Sequence, residues 1–384
     1  MSHPYDAITL DELRTRHSVK WRTHPPEVVP AFVAEMDFPL AEPIVDVLHE
    51  YAARGDTGYS HRGALAETYA QYAAARDGVG PDPAHTMVVQ DVLSGIRTAL
   101  QALTNPGDGV AFFVPSYPPF FRTIEVVDRR CAPVPLAYDS TRARYDIDFA
   151  ALDRVLSDPS VRALLLCNPQ NPTGRVFMRP ELMQIAQYAE RHGVVVLSDE
   201  VHAPLTFDAH VHVPFASLDT DAATHSVSFV SASKAWNVPG LKCALAIAGG
   251  AASWKALEKA PNLASFGTSI LGVAANTAAF AEGGPWLADT LDYLAANRTL
   301  FGELLATHLP DARWSPQDAT YLAWVDCTNL GLGDDPATAF LDRGKVAVNH
   351  GITFGPEGAG FVRVNLATPR PILEEVVRRL AGSV

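Results

Sequence analysis

Lys234 lies in the run Ser231-Ala232-Ser233-Lys234-Ala235-Trp236-Asn237-Val238-Pro239-Gly240-Leu241-Lys242, directly after the apolar stretch Val227 to Val230. That order puts an amine at the end of a buried strand. Ser231, Ser233 and Lys242 add the hydroxyls and the positive charge that a phosphate needs. The set suits a lysine that forms a Schiff base with a phosphorylated aldehyde, so the cofactor to expect is pyridoxal 5'-phosphate. A lysine in water has a pKa of about 10.4 and is a poor nucleophile at neutral pH. Lys234 therefore needs burial or a cationic neighbour.

Two more segments deliver polar groups in the same way. Val194-Val195-Val196-Leu197-Ser198-Asp199 is a β-branched apolar run ending in an acid, followed by Glu200-Val201-His202. Ala163-Leu164-Leu165-Leu166-Cys167 runs into the turn-rich Asn168-Pro169-Gln170-Asn171-Pro172-Thr173-Gly174. In an open parallel sheet, ligands bind beyond the carboxyl ends of the strands, which makes Asn171, Asp199 and Lys234 candidates for one crevice. Each also has a plainer use: a strand-end acid caps a helix, Asn-Pro makes a turn, and Ser-Lys pairs are common in surface loops.

The elements that must position these groups follow from the hydrophobic pattern. Strand-like runs at Thr86–Val89, Val110–Val114, Ala163–Cys167, Val194–Leu197, Val227–Val230 and Cys243–Ala248 alternate with helical stretches. The rhythm predicts an α/β fold with a mainly parallel sheet wrapped by helices. After Gly283-Gly284-Pro285, the positions Leu287, Leu291, Leu294, Phe301 and Leu304 recur at helical spacing. Strands at Tyr321–Val325 and Phe361–Leu366 and a last helix near Ile372–Leu380 predict a second, α+β lobe.

Several motifs together resemble a known family. They are Ser18-Val19-Lys20-Trp21, Ala34-Glu35-Met36-Asp37-Phe38-Pro39, Pro115-Ser116-Tyr117-Pro118-Pro119-Phe120, Asn168 to Gly174, Ser198 to His202, Ser231 to Lys242 and Phe361-Val362-Arg363-Val364-Asn365. The chain resembles the fold-type I pyridoxal-phosphate enzymes of the class I/II aminotransferase superfamily, and within it the cystathionine β-lyase (C-S lyase) branch. The resemblance implies a large cofactor-binding domain over residues 44–284 with a seven-stranded type of sheet, and a small domain built from residues 1–43 and 285–384.

It also implies roles. Lys234 holds the cofactor and then serves as the base, Asp199 pairs with the pyridine nitrogen, and Asn171 bonds the phenolic oxygen. His202, where many aminotransferases carry a tyrosine, is a further cofactor contact. Tyr117, held between prolines, would lay its ring against the pyridine and touch substrate. Val92 and Leu93, at the start of a helix after Asp91, offer main-chain N–H groups to the phosphate, with Ser231, Ser233 and Lys242 completing the cup. Arg363 would grip the substrate α-carboxylate with its bidentate guanidinium. Tyr59 resembles the tyrosine that crosses a homodimer interface to the partner's cofactor phosphate. Departures from the family pattern are Glu35 in place of an aspartate, Arg22 in place of an aspartate after Trp21, and no tryptophan near Tyr72. They bear on substrate and interface.

Composition bounds the rest. A chain of 384 residues with 48% hydrophobic residues can fill two lobes, and a formal net charge of -13 disfavours nucleic acid and anionic membrane partners. The segment Met1 to Leu13 lacks the pattern of a secretion signal and no run nears the roughly 20 apolar residues that span a bilayer, so the expected location is cytoplasmic. Cys131, Cys167, Cys243 and Cys327 lack CxxC or metal-ligand spacing, and the 13 histidines form no HExxH pair. No metal is expected. The expected reaction is α,β-elimination from cystathionine or a related cysteine-S-conjugate. Aminotransfer, which shares every step through the carbanion, and a cofactor-binding regulator with little turnover are the alternatives.

Overall fold

The computed structural model describes residues 3–207, 210–260 and 266–384, so Met1 and Ser2 of the amino-terminal segment lie outside the described residues. Its main sheet is built from β1 (Thr86–Val89), β2 (Gly109–Val114), β3 (Arg130–Pro135), β4 (Val161–Cys167), β5 (Val195–Asp199), β6 (Val227–Val230) and β7 (Ala244–Ala248). The strand order is β1-β7-β6-β5-β4-β2-β3. All pairs are parallel except those of β7, which runs antiparallel to β1 and β6.

Side chains leave β2 alternately to two cores, as a sheet covered on both faces requires. Val110, Phe112 and Val114 join Ile96 and Leu100 of α1 (Val92–Leu103), while Ala111 and Phe113 join Leu182, Ile185 and Ala189 of α2 (Arg179–His192). Helix α1 comes so close to the sheet that a Cβ on Gly95 would lie 2.9 Å from Cδ1 of Phe229. That approach fixes where the first turn of α1 meets the strand ends.

Strand β3 was not expected from the sequence. It carries Pro133 and Pro135, which a central strand does not tolerate because the missing N–H breaks a ladder. Its edge position, paired only with β2, leaves one side free of that demand. The short hairpin of Ala137–Asp139 with Arg144–Asp146 was likewise unmarked by periodicity.

A second sheet has β10 (Phe361–Asn365) between β8 (Leu322–Asp326) and β9 (Asn349–His350), all antiparallel. Val362, Val364 and Leu366 share an apolar cluster with Phe301 and Leu305 of α3 (Gly284–His308) and Leu373 and Val376 of α4 (Arg370–Ala381). The opposite face of β10, with Phe361, Arg363 and Asn365, is also buried, so Arg363 makes no surface salt bridge.

The amino-terminal stretch is tied to this region by Val29–Pro30, which pairs in parallel with Val346–Ala347. It also holds a buried ion pair: Lys20 Nζ donates to Asp37 Oδ2 at 2.7 Å, Trp21 Nε1 donates to Asp37 Oδ1 at 3.0 Å, and both charged side chains are 1% exposed. Lys20, Trp21 and Asp37 within two of the sequence motifs thus serve structure. Replacing one partner of a buried pair strands the other charge, which costs about 3–5 kcal/mol. Lys20→Ala is expected to lower the unfolding free energy by that amount in a denaturant titration at pH 7.

Candidate active site

The carboxyl ends of β1, β2, β4, β5 and β6 reach one rim of the main sheet, each continuing into a segment singled out above. Because β7 runs the other way, Lys242 at its start sits on that rim too. A cavity of about 180 Å³ opens there, lined by Asp91, Val92, Leu93, Tyr117, Asp199, Val201, Ser231, Ser233, Lys234, Pro239, Lys242 and Cys243. Eight of the residues expected to bind cofactor therefore share one pocket.

At its base, Lys234 Nζ donates to the Ala34 carbonyl at 3.1 Å. Burial, and then the positive charge of Arg363, push its pKa down to about 8, against the pull of Asp199. At pH 7 about a tenth of this amine is uncharged and able to attack a carbonyl, far more than for a lysine in water. Asp199 accepts one hydrogen bond, from the Val201 N–H at 3.1 Å, and burial raises its carboxyl to about 7. A buried acid with so few donors has acceptor capacity left for a cationic N–H. A protonated pyridine nitrogen fits that need.

Arg363 is the second buried charge. Its guanidinium donates to Asn171 Oδ1 at 2.9 Å, Asn349 Oδ1 at 2.6 Å and the Phe32 carbonyl at 3.1 Å, and it lies 5.0 Å from the centre of the Phe354 ring. All of these partners are neutral, its Nε has no partner, and burial lowers its pKa to about 10. A buried guanidinium held by neutral groups is a site for an anion such as a carboxylate. The same contact turns the oxygen of Asn171 toward Arg363, which leaves the amide nitrogen as the donor for a ligand. His202 is buried, its Nδ1 has no partner, and burial with the charges of Lys234 and Arg363 keeps it neutral down to about 3.

The phosphate cup forms around the first turn of α1. Asp91 caps that helix, accepting from the Ser94 N–H at 2.8 Å, and the N–H groups of Val92 and Leu93 have no carbonyl to meet inside the helix. Lys242 takes a left-handed backbone conformation with φ 53° and sets its Nζ 3.1 Å from Asp91 Oδ2. Ser231 departs from the simple expectation: its hydroxyl donates to the Cys243 carbonyl at 2.7 Å and accepts from the Ser233 N–H at 3.0 Å. In this conformation its hydrogen is committed to the fold, and Ser233 is the hydroxyl left for a phosphate.

Tyr59 does not reach this cavity in its own chain. It is 91% exposed, with its ring edge-on to exposed Phe266 at 6.4 Å. The departures also find their places. Glu35 accepts from the Ser18 hydroxyl, Arg22 bonds the Thr15 carbonyl at 3.2 Å away from the pocket, and Tyr72 meets Trp236 at 5.6 Å.

Sequence reasoning missed Asn349, Asp91 as the Lys242 partner, the Ala34 carbonyl, and Asn276, whose Oδ1 takes the Ala232 N–H at 2.8 Å and pins the loop before Lys234. Among these only Asp91 carried a signal, as a helix cap after a strand. The others act through neighbours far away in the chain.

Residues 34–380 match the aminotransferase class I and II family. The chain belongs to that family. As an aminotransferase class I and II member it is 34% identical over 366 residues to cystathionine beta-lyase PatB of Bacillus subtilis, covering 93% of each chain. It is 31% identical over 377 residues to cystathionine beta-lyase of Corynebacterium glutamicum, with 97% of this chain and 98% of that one aligned. The fold superposes on cystalysin from Treponema denticola, whose structure contains a pyridoxal 5'-phosphate cofactor, with a TM-score of 0.92, 25% identity, and coverage of 100% and 98%. Among the described residues no helix is long and apolar enough to cross a membrane, and no cluster of His, Cys, Asp and Glu is arranged to hold a metal.

Proposed function

We propose that the protein is a pyridoxal-phosphate-dependent carbon-sulfur β-lyase that cleaves cystathionine or a related cysteine-S-conjugate to a thiol, pyruvate and ammonia. The observation that carries this reading is a cavity lined by a partly buried lysine of lowered pKa and a buried acid, with a buried arginine whose partners are all neutral, one of them Asn171. Relatives over nearly the whole length that are named as cystathionine β-lyases favour elimination over aminotransfer.

Pyridoxal 5'-phosphate, when bound, supplies an electron sink for the pair left behind when the Cα proton departs. The chain does the remaining work. Arg363 holds the substrate α-carboxylate, and Lys234, freed by the incoming amine, takes the Cα proton. With the cofactor bound, Asp199 would keep the ring nitrogen protonated, Asn171 and His202 would serve the phenolic oxygen, and Tyr117 would pack against the ring. Val92, Leu93, Ser233 and Lys242, with Ser231 behind them, would hold the phosphate. The proton that Lys234 takes passes to the thiolate leaving Cβ, giving the thiol, and water adds to the released aminoacrylate to give pyruvate and ammonia.

We also assign a homodimer in which Tyr59 enters the partner's site, a reading supported by its exposure beside Phe266. The division into a large domain of residues 44–284 and a small domain of 1–43 and 285–384 accounts for the pairing of Val29–Pro30 with Val346–Ala347.

The test is purified protein with L-cystathionine, with and without a 2-oxo acid. Pyruvate and thiol without the oxo acid support the lyase; amino transfer that requires the oxo acid replaces it with a transaminase; neither, with cofactor bound, points to a regulator. Arg363→Lys keeps the charge but loses the planar fork. It is expected to lower kcat/KM by about 10²-fold, mostly through KM, in steady-state assays.

A further inference from the structure

Tyr321 precedes β8 and is 1% exposed, yet its hydroxyl has no hydrogen-bond partner. Buried hydroxyls are nearly always satisfied, so one left open in a site calls for a ligand. Three further observations tie it to the segments that carry Ala34, Lys234 and Arg363. Its ring shares the apolar cluster of Met36, Ala235, Trp236 and Ala367, which joins the segment holding the Ala34 carbonyl to the segment holding Lys234. Its carbonyl accepts the Leu366 N–H at 2.8 Å, next to the strand of Arg363. The charges of Arg363 and Glu35 both act on its phenol, and Tyr321 in turn acts on Arg363.

The backbone holds it there under strain. Thr320 has φ 70°, in the left-handed region that a β-branched residue avoids. The strain is enforced by neighbours: Asp318 and Ala319 donate to the Gly174 carbonyl at 3.0 Å, and Thr320 donates to the Leu205 carbonyl at 2.9 Å. Gly174, at φ 70°, has no room for a Cβ, which would meet Cβ of Gln317 at 2.3 Å. The loop before Tyr321 is thereby bolted to the Asn171 turn and to the segment after His202.

We infer that the Tyr321 hydroxyl is a substrate-contacting, specificity-determining group, donating to the α-carboxylate that Arg363 holds. The inference rests on the proposed function only in taking an amino acid as the ligand. With the carboxylate in place, the open hydroxyl and the open Nε of Arg363 face one anion; without it both stay unsatisfied.

The test uses cofactor-loaded wild type and Tyr321→Phe, titrated with L-alanine, which has no leaving group, and with ethylamine, which has no carboxylate, following the cofactor absorbance. Losing a hydrogen bond to a charged group predicts an L-alanine Kd raised about 10- to 100-fold in the variant, with ethylamine unchanged. The melting temperature is expected to hold or rise, since the hydroxyl is unpartnered in the free protein. An L-alanine Kd within about twofold of wild type, an equal loss for ethylamine, or a melting temperature lowered by several degrees would overturn the inference. A wild type that binds L-alanine but releases no pyruvate from L-cystathionine would retire the lyase reading alone, and the ratio of the two alanine affinities would still decide the role of Tyr321.

Discussion

Lys234→Ala is expected to lower pyruvate release from L-cystathionine by at least about 10³-fold, even with excess cofactor, while leaving the circular dichroism spectrum unchanged. A positioned base contributes about 10²–10⁴-fold, and this lysine is also the group proposed to hold the cofactor. Borohydride reduction followed by peptide mass spectrometry should find cofactor mass on residue 234 in the wild type and none in the variant. Turnover within tenfold of wild type would remove the basis of the assignment. The pKa of about 8 adds a pH dependence. Only the neutral amine attacks an aldehyde, so cofactor uptake by the cofactor-free protein should speed up as pH rises toward 8 and level off above it. An unperturbed lysine, with its pKa near 10.4, would keep accelerating to about pH 10.

Asp199→Asn carries the second large effect, and it splits function from stability. Without the carboxylate the ring nitrogen loses the anion that keeps it protonated, and the expected loss in kcat is about 10²–10³-fold. In the cofactor-free protein the effect should reverse. The carboxyl is raised from 3.8 to about 7 by burial, so the folded state binds its proton more tightly than the unfolded state does. The wild type therefore loses stability as pH rises from about 4 to about 7, by up to about 4 kcal/mol from this one group. Asparagine has no charge to bury. Denaturant titrations of cofactor-free protein should show the variant level with wild type near pH 4 and more stable at pH 8. A variant less stable than wild type at pH 8 would mean that the attraction between Lys234 and Asp199 outweighs the cost of burying the carboxylate.

How much of the site was legible in the sequence depended on where each residue's partners lie. Lys234, Asp199 and Asn171 were readable because each ends or follows an apolar run, and a parallel sheet sends all such ends to one rim. Val92 and Leu93 were readable because helix starts have free N–H groups whatever the surroundings. The role of Ser231 changed on folding, since its hydroxyl found the Cys243 carbonyl at 2.7 Å, a neighbour brought by the antiparallel strand β7. Lys20 and Asp37 were readable as motif residues, but nothing local showed that they neutralise each other where both are 1% exposed.

The linear order of residues determined the α/β class, the alternation of strands and helices, and the chemical types gathered near the strand ends, because periodicity and turn chemistry are short-range. Folding decided the rest. It reversed β7 so that Lys242 meets Asp91, placed proline-bearing β3 at an edge, and buried Arg363 among neutral partners with an open nitrogen. It also left the Tyr321 hydroxyl open behind a strained threonine. These features arise from contacts between segments up to about 330 positions apart, as when Arg363 meets the Phe32 carbonyl, and from desolvation, which depends on everything that surrounds a group. Neither is written in the neighbours a residue has along the chain.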